Sequence, residues 1–199
     1  MAAVVLAAGR ARRFGGAKLL APLHGRPVVA HVLDVVRRAR AAGVLTDARI
    51  VVAADDHAVA ALARETGADT VVNDAPERGL SSSLRCGLAA LGPDAGAAVV
   101  LLGDQPLVRF DVLAALVTAW QDGRGAMVRP RYADAYSEPG HPVLLDRSLW
   151  PLAERLEGDA GLGVLLPPGS PGVALIDVAG RNPDVNTPAD LHTLEGSWS

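Results

Sequence analysis

Four short apolar runs, each followed by a stretch of helical periodicity, constrain the fold of this chain more than any other feature. Val4-Val5-Leu6, Ile50-Val51-Val52, Thr70-Val71-Val72 and Ala97 to Leu102 read as buried strands, because continuous apolar runs leave no solvated face. Pro27 opens a helical pattern with Val28, Val32, Leu33 and Val36 on one stripe, ended by Gly43. Arg37, Arg38 and Arg40 cluster near its last turn, where cations suit the helix dipole. Asp55 or Asp56 caps a second helix through Val59, Leu62 and Ala63. Ser81 or Ser82 is the natural cap of a third, and Asp111 of a fourth holding Leu113, Leu116 and Trp120. This alternation predicts an α/β fold of three layers, with a mostly parallel twisted sheet and helices on both faces, Rossmann-like. Right-handed crossovers bring the loops after Ala8 and Leu102 to the same carboxyl edge of that sheet.

The second half is less regular. Ala126 to Val128 reads as a strand, followed by a polar segment from Arg129 to Gly140 and another strand from Gly140 to Leu145. A helix around Leu149 to Leu156, a last strand from Val173 to Val178, and a helix starting at Thr187 or Pro188 complete the chain. With no internal repeat, linker or low-complexity tract, residues 1–199 are expected to form a single domain.

The loop after the first strand carries Gly9, Gly15 and Gly16 together with Arg10, Arg12, Arg13 and Lys18. Backbone N–H groups freed by glycine, with cations on the same segment, make a seat for an anion. The loop lacks the Ser/Thr after lysine that a P-loop requires, and the Gly-x-Gly-x-x-Gly of a dinucleotide turn. Of 19 basic residues, Lys18 is the single lysine. An ammonium is a compact charge on a flexible stem where guanidinium is a rigid fork, so this position is set apart chemically. Asp104, between Gly103 and Gln105-Pro106 at the tip of the fourth strand, is placed to hold a divalent cation on phosphate oxygens. Mg2+ suits such a place because it takes few protein ligands and fills its shell with water and phosphate.

A net charge of −3 argues against nucleic acid or an acidic membrane as principal partner. Cys86, the single cysteine, excludes an intrachain disulfide and reads as part of a core helix face with Leu84, Leu88 and Leu91. His24, His31, His57 and His192 show no metal-ligand spacing. No apolar run approaches the ~20 residues that span a bilayer. The N-terminus shows no signal-peptide pattern, and the expected location is cytoplasmic.

Leu6, Gly9, Arg13, Phe14, Gly15 and Lys18 fall on the pattern Leu-x-x-Gly-x-x-x-Arg-Met/Phe-Gly-x-x-Lys. In this the chain resembles the MobA-like NTP transferases, whose fold is of the nucleotide-diphospho-sugar transferase type. Leu6-Ala7-Ala8-Gly9 is more similar to the molybdenum cofactor cytidylyltransferase branch than to the guanylyltransferase branch, which usually reads Leu-x-Gly-Gly. Ala11 departs from the family's Ser or Gly. Gly79-x-x-x-Ser83-Leu84, Gly103-Asp104-x-Pro106, Gly140-His141-Pro142, Gly158-Asp159-x-Gly161 and Asp184-Val185-Asn186-Thr187-Pro188 extend the resemblance along the chain.

The resemblance implies transfer of a nucleoside monophosphate, CMP from CTP, to the phosphate of a molybdopterin-type acceptor. Arg13, Lys18 and Asp104 would be catalytic, and Leu6, Ala7, Ala8, Gly9, Asn73, Ser82 and Gly103 would join Arg13 and Lys18 around the nucleotide. Mg2+ would sit on Asp104 with Asn186 or Asp184 as second ligand. Gly140, His141, Pro142, Asp159 and Gly161 would meet the acceptor, with Arg129 and Arg131 as further candidates for its phosphate. A nucleotide-binding half over about 1–120 and an acceptor-binding half over about 121–199 follow, as does transient contact with a molybdoenzyme or its chaperone. Rival readings are a guanylyltransferase or another NTP transferase with a different phosphorylated acceptor, an NADPH-dependent oxidoreductase on the same fold, and a non-catalytic nucleotide-binding cofactor chaperone.

Overall fold

The computed structural model describes residues 1–9, 14–134 and 139–196. In chain order it contains β1 (Ala2–Leu6), a small hairpin of β2 (Pro22–Leu23) and β3 (Arg26–Pro27), α1 (Val28–Ala41) and β4 (Asp47–Ala53). Then come α2 (His57–Glu65), β5 (Asp69–Asn73), α3 (Leu80–Ala89), β6 (Ala97–Leu102) and α4 (Phe110–Gln121). The remainder holds β7 (Met127–Tyr132), β8 (Val143–Asp146), β9 (Val173–Val178) and α5 (Pro188–Gly196).

Among the described residues, the main sheet has seven strands in the order β5-β4-β1-β6-β8-β7-β9. β1 pairs in parallel with β4 and β6, and β4 with β5, while β8 alone runs antiparallel to its neighbours β6 and β7. The sheet is therefore mostly parallel and the layered α/β fold is the expected one. The chain winds outward from β1 through β4 to β5, then crosses back to β6 on the other side of β1. In an open α/β sheet that reversal leaves a crevice at the strand carboxyl ends.

β1 is buried along its whole length, and its side chains alternate between two cores as strand geometry requires. Ala3, Val5 and Ala7 face Val32 and Leu33 of α1 and Leu113 and Leu116 of α4. Ala2, Val4 and Leu6 face Leu84 and Leu88 of α3. At Gly87 a Cβ would lie 2.3 Å from Val4 Cγ1, so α3 rests directly on β1. A third, smaller cluster joins Leu23 of the hairpin to Val185 and Leu194 and ties α5 to the body of the domain. No helix among the described residues is long and apolar enough to cross a membrane.

Local expectations differ from the structure in five places, the first being β7, which runs on through residues 129–132 where a polar segment is expected. Asp56 caps α2 by accepting from Val59 N–H, but the cap of α3 is Gly79, with Ser81 and Ser82 inside the helix. α4 starts at Phe110 after Arg109, and Asp111 in its first turn pairs with the Arg109 guanidinium instead of capping. The expected helix at 149–156 is a 3-10 coil over Arg147–Arg155, because Pro151 within it has no N–H to continue an α-helical ladder. The hairpin was not expected; His24 and Gly25 turn it with φ of 49° and 74°, the positive values that a two-residue hairpin loop demands.

Candidate active site

Gly103 N–H donates to Leu6 O at 2.9 Å, which locks the end of β6 to the end of β1. The loops that leave these ends carry Lys18 and Asp104. Lys18 Nζ donates to Asp104 Oδ2 at 2.5 Å and lies 3.5 Å from Asn186 Oδ1. The two paired side chains are 12% and 21% exposed, so this is a largely desolvated ion pair. Burial raises the Asp104 carboxyl pKa, and the Lys18 ammonium beside it opposes that rise.

Asn186 is brought in by its own segment. Asn186 N–H and Thr187 N–H both donate to Asp190 Oδ2, while Asp190 N–H donates to Thr187 Oγ1, a reciprocal cap at the start of α5. Val185 N–H donates to Asp104 O at 2.9 Å, so the segment lies against the Asp104 loop. Asp184 does not join Lys18; its Oδ1 accepts from Gln105 Nε2 at 2.7 Å.

Lys18 and Asp104 line a cleft of about 310 Å³, while Asn186 and Asp184 lie outside its lining. Leu6, Ala7, Ala8 and Gly9 form one wall of it, as the sequence suggests, and Leu80 and Ser83 of α3 face them with Asp159. Gly103 sits behind that wall, where a Cβ would come within 3.2 Å of Leu6 O. Arg13 lies outside the described residues. Asn73 and Ser82 are buried and do not line the cleft: Asn73 Nδ2 donates to the hydroxyls of Ser82 and Ser83, and Ser82 donates to carbonyls of Ala75 and Gly79. Their partners hold the loop that enters α3.

That loop is closed from a distance. Leu80 N–H donates to Asp159 Oδ1, and Ser81 N–H donates to Gly158 O. Gly79, at φ +85°, leaves no room for a side chain, since a Cβ would meet the Gly158 carbonyl carbon at 2.4 Å. Asp159 therefore serves as the cap that no nearby serine provides, and it brings a residue expected on the acceptor side to the cleft.

A second cavity of about 540 Å³ adjoins the first and shares Leu6, Leu80 and Asp159 with it. Leu84, Val100, Val143 and Leu145 make its walls apolar, while Arg129, His141 and Gly161 line it as well. Burial, aided by the Arg129 charge, lowers the His141 pKa to about 4, so its imidazole is neutral at neutral pH. The neighbouring residues Gly140 and Pro142 do not line this cavity; Gly140 packs against the Tyr132 ring and Pro142 is buried. Arg131 is turned elsewhere, paired with Asp177 at 2.6 and 2.9 Å.

A polar brace that the sequence did not announce joins the two compartments. Gln105 Oε1 accepts from Asn182 Nδ2 at 3.0 Å, and the same amide donates to His141 O at 3.1 Å. Tyr132 also donates to His141 O. The proximity of Gln105 to Asp104 was the only local signal for this brace.

A family model described as the MobA-like NTP transferase domain matches residues 3–171. The crystal structure of Rv0371c from Mycobacterium tuberculosis H37Rv superposes with a TM-score of 0.85 at 34% identity, covering 99% of this chain and 98% of that one. The same protein is also known in complex with manganese, with a TM-score of 0.81, 32% identity and 98% of both chains covered. A probable molybdenum cofactor guanylyltransferase of Pyrococcus horikoshii is 29% identical over 70% of this chain. A 3-deoxy-manno-octulosonate cytidylyltransferase of Anaeromyxobacter sp. is 38% identical over 62% of it. The chain spans 66% of the Pyrococcus protein's length and 48% of the Anaeromyxobacter protein's. With a matching family model over most of its length, this chain belongs to the MobA-like NTP transferase family.

Proposed function

We propose that this protein transfers a nucleoside monophosphate, CMP from CTP, to the phosphate of a molybdopterin-type acceptor. The observation that carries this reading is the Lys18–Asp104 contact at 2.5 Å, made by side chains 86 positions apart on the wall of one cleft. An acceptor phosphate oxygen attacks the α-phosphorus, the new P–O bond forms, and pyrophosphate leaves as the α–β bridge breaks. Such transfers depend on positioning and charge neutralisation more than on covalent help from the protein.

Lys18 holds triphosphate oxygens and steadies the charge that grows on the leaving pyrophosphate. Arg13, on the same loop, is assigned to that task too. Asp104 and Asn186 fit a divalent cation. Both offer oxygen, and the cation now between them is the Lys18 ammonium. Among the described residues no group of three His, Cys, Asp or Glu forms a dedicated metal cage, so the fit is to an ion such as Mg2+ that draws its other ligands from water and phosphate. Bound there, Mg2+ would supply positive charge to the α-phosphate oxygens. No general base is needed, because a phosphomonoester is already ionised near neutral pH.

In this reading, residues up to about 120 supply most of the triphosphate cleft. The later residues His141, Asp159 and Gly161 face the acceptor. CTP is favoured by the likeness of Leu6-Ala7-Ala8-Gly9 to the cytidylyltransferase branch of the family. The name of the Pyrococcus relative supports a second reading, in which GTP is the donor. The test is pyrophosphate release with CTP, GTP, ATP and UTP in turn, each with and without molybdopterin. The first reading expects acceptor-dependent release with CTP; preference for GTP selects the second, and no release with any triphosphate ends both.

A further inference from the structure

We infer that Arg129 anchors the acceptor, gripping an anionic or oxygen-bearing group at the end remote from the reacting phosphate. The acceptor is thus a flat body with polar groups at both ends. This rests on the nucleotidyl-transfer reading above and adds the chemistry of the second substrate. The adjoining cavity of about 540 Å³ has walls of Leu84, Val100, Val143 and Leu145, which suit the faces of a flat ring system. Arg129 is the cation on those walls among the described residues.

Its guanidinium is incompletely used. Nη2 donates to Pro139 O at 2.6 Å, but the buried Nε–H has no hydrogen-bond partner. No carboxylate among the described residues pairs with it, whereas Arg49, Arg109 and Arg131 each have an aspartate. Burial lowers the pKa of Arg129, the mark of a charge held without compensation. A guanidinium on a cavity wall with no carboxylate of its own is a ready partner for an anionic ligand group. The backbone is shaped for this as well. At Gly163 a Cβ would lie 2.7 Å from Arg129 Nη1, so a side chain there would push the fork aside. His141, neutral beside it, adds a hydrogen-bonding edge without a second positive charge.

The experiment measures the dissociation constant of molybdopterin, by its own pterin fluorescence, for wild type, Arg129→Met, Arg129→Lys and Gly163→Ala. Arg129→Met should weaken it by about 10–100-fold, the scale of a lost charge-assisted contact, with only part regained in Arg129→Lys. Gly163→Ala, which keeps the charge but displaces the fork, should weaken it by about threefold or more. The dissociation constant for CTP with Mg2+ should move by less than about twofold in all three, since Arg129 lies off that cleft. Equal molybdopterin affinity in wild type and Arg129→Met overturns the inference, as does a parallel loss of CTP affinity or failure of wild type to bind molybdopterin. Should Arg129→Met not fold, Arg129→Lys and Gly163→Ala decide by the same criteria. A wild type that binds molybdopterin through Arg129 yet releases no pyrophosphate keeps the anchor and removes the transferase reading.

Discussion

An ammonium can sit between two oxygens where a planar fork cannot, and the geometry at Lys18 depends on that difference. Replacing Lys18 by Ala should lower turnover by about 10²–10³, the scale for one preorganised donor at a developing charge. Lys18→Arg should also be impaired in the same steady-state assay; near wild-type rates for both would remove Lys18 from the mechanism. Because Lys18 opposes the burial-driven rise in the Asp104 pKa, Lys18→Ala should move the acid limb of the pH–rate profile to higher pH. His141 makes a separate prediction about stability. Its folded pKa of about 4 lies below the unfolded value of 6.5, so the unfolded chain binds more protons between them. Stability should therefore fall as pH drops through that window, by about 1–3 kcal/mol in denaturant titrations, and His141→Gln should flatten the dependence. At this scale the sequence announced Lys18 as the single lysine, set in a glycine-rich loop, and Asp104 as a carboxylate at the tip of an apolar run. It could not separate Arg129 from Arg131, since both lie on β7 and only long-range partners, Asp177 and the cavity, distinguish them.

Among the elements, α3 shows most clearly where local reading ends. Its Gly-Ser-rich start suggested a serine cap, yet its first N–H groups go to Gly158 and Asp159, far downstream. A cap borrowed across the fold leaves no mark within a few residues of the helix. The strands were legible because their apolar runs are continuous. β8 was legible as a strand but not in direction, which its antiparallel pairing with β6 and β7 fixes. Gly87→Ala gives the test of the α3–β1 contact. A Cβ 2.3 Å from Val4 Cγ1 forces the helix off the strand, and overpacking of this kind costs about 1–3 kcal/mol. The loss should appear as a lower denaturation midpoint. Because Leu80 and Ser83 ride on the same helix, CTP affinity should fall with it, whereas an unchanged midpoint would show that α3 has slack.

For the whole molecule, the layered fold and the meeting of two strand ends followed from strand–helix alternation alone. The division of labour did not. Leu6, Leu84 and Val100 from the first half wall the larger cavity, and Asp159 from the second walls the cleft that holds Lys18 and Asp104. Neither half holds a complete compartment. Since Leu6, Leu80 and Asp159 border both spaces, the partition between them is only as thick as those side chains. A bisubstrate molecule bridging that partition would be tethered at both ends, so its second contact forms at a high effective concentration. The product of the proposed transfer would be such a molecule, and it should bind about 10²-fold or more tightly than either substrate, by competition in a calorimeter. Slow departure of the finished product would then set the pace of the cycle, and a carrier able to strip it away would act as an accelerator.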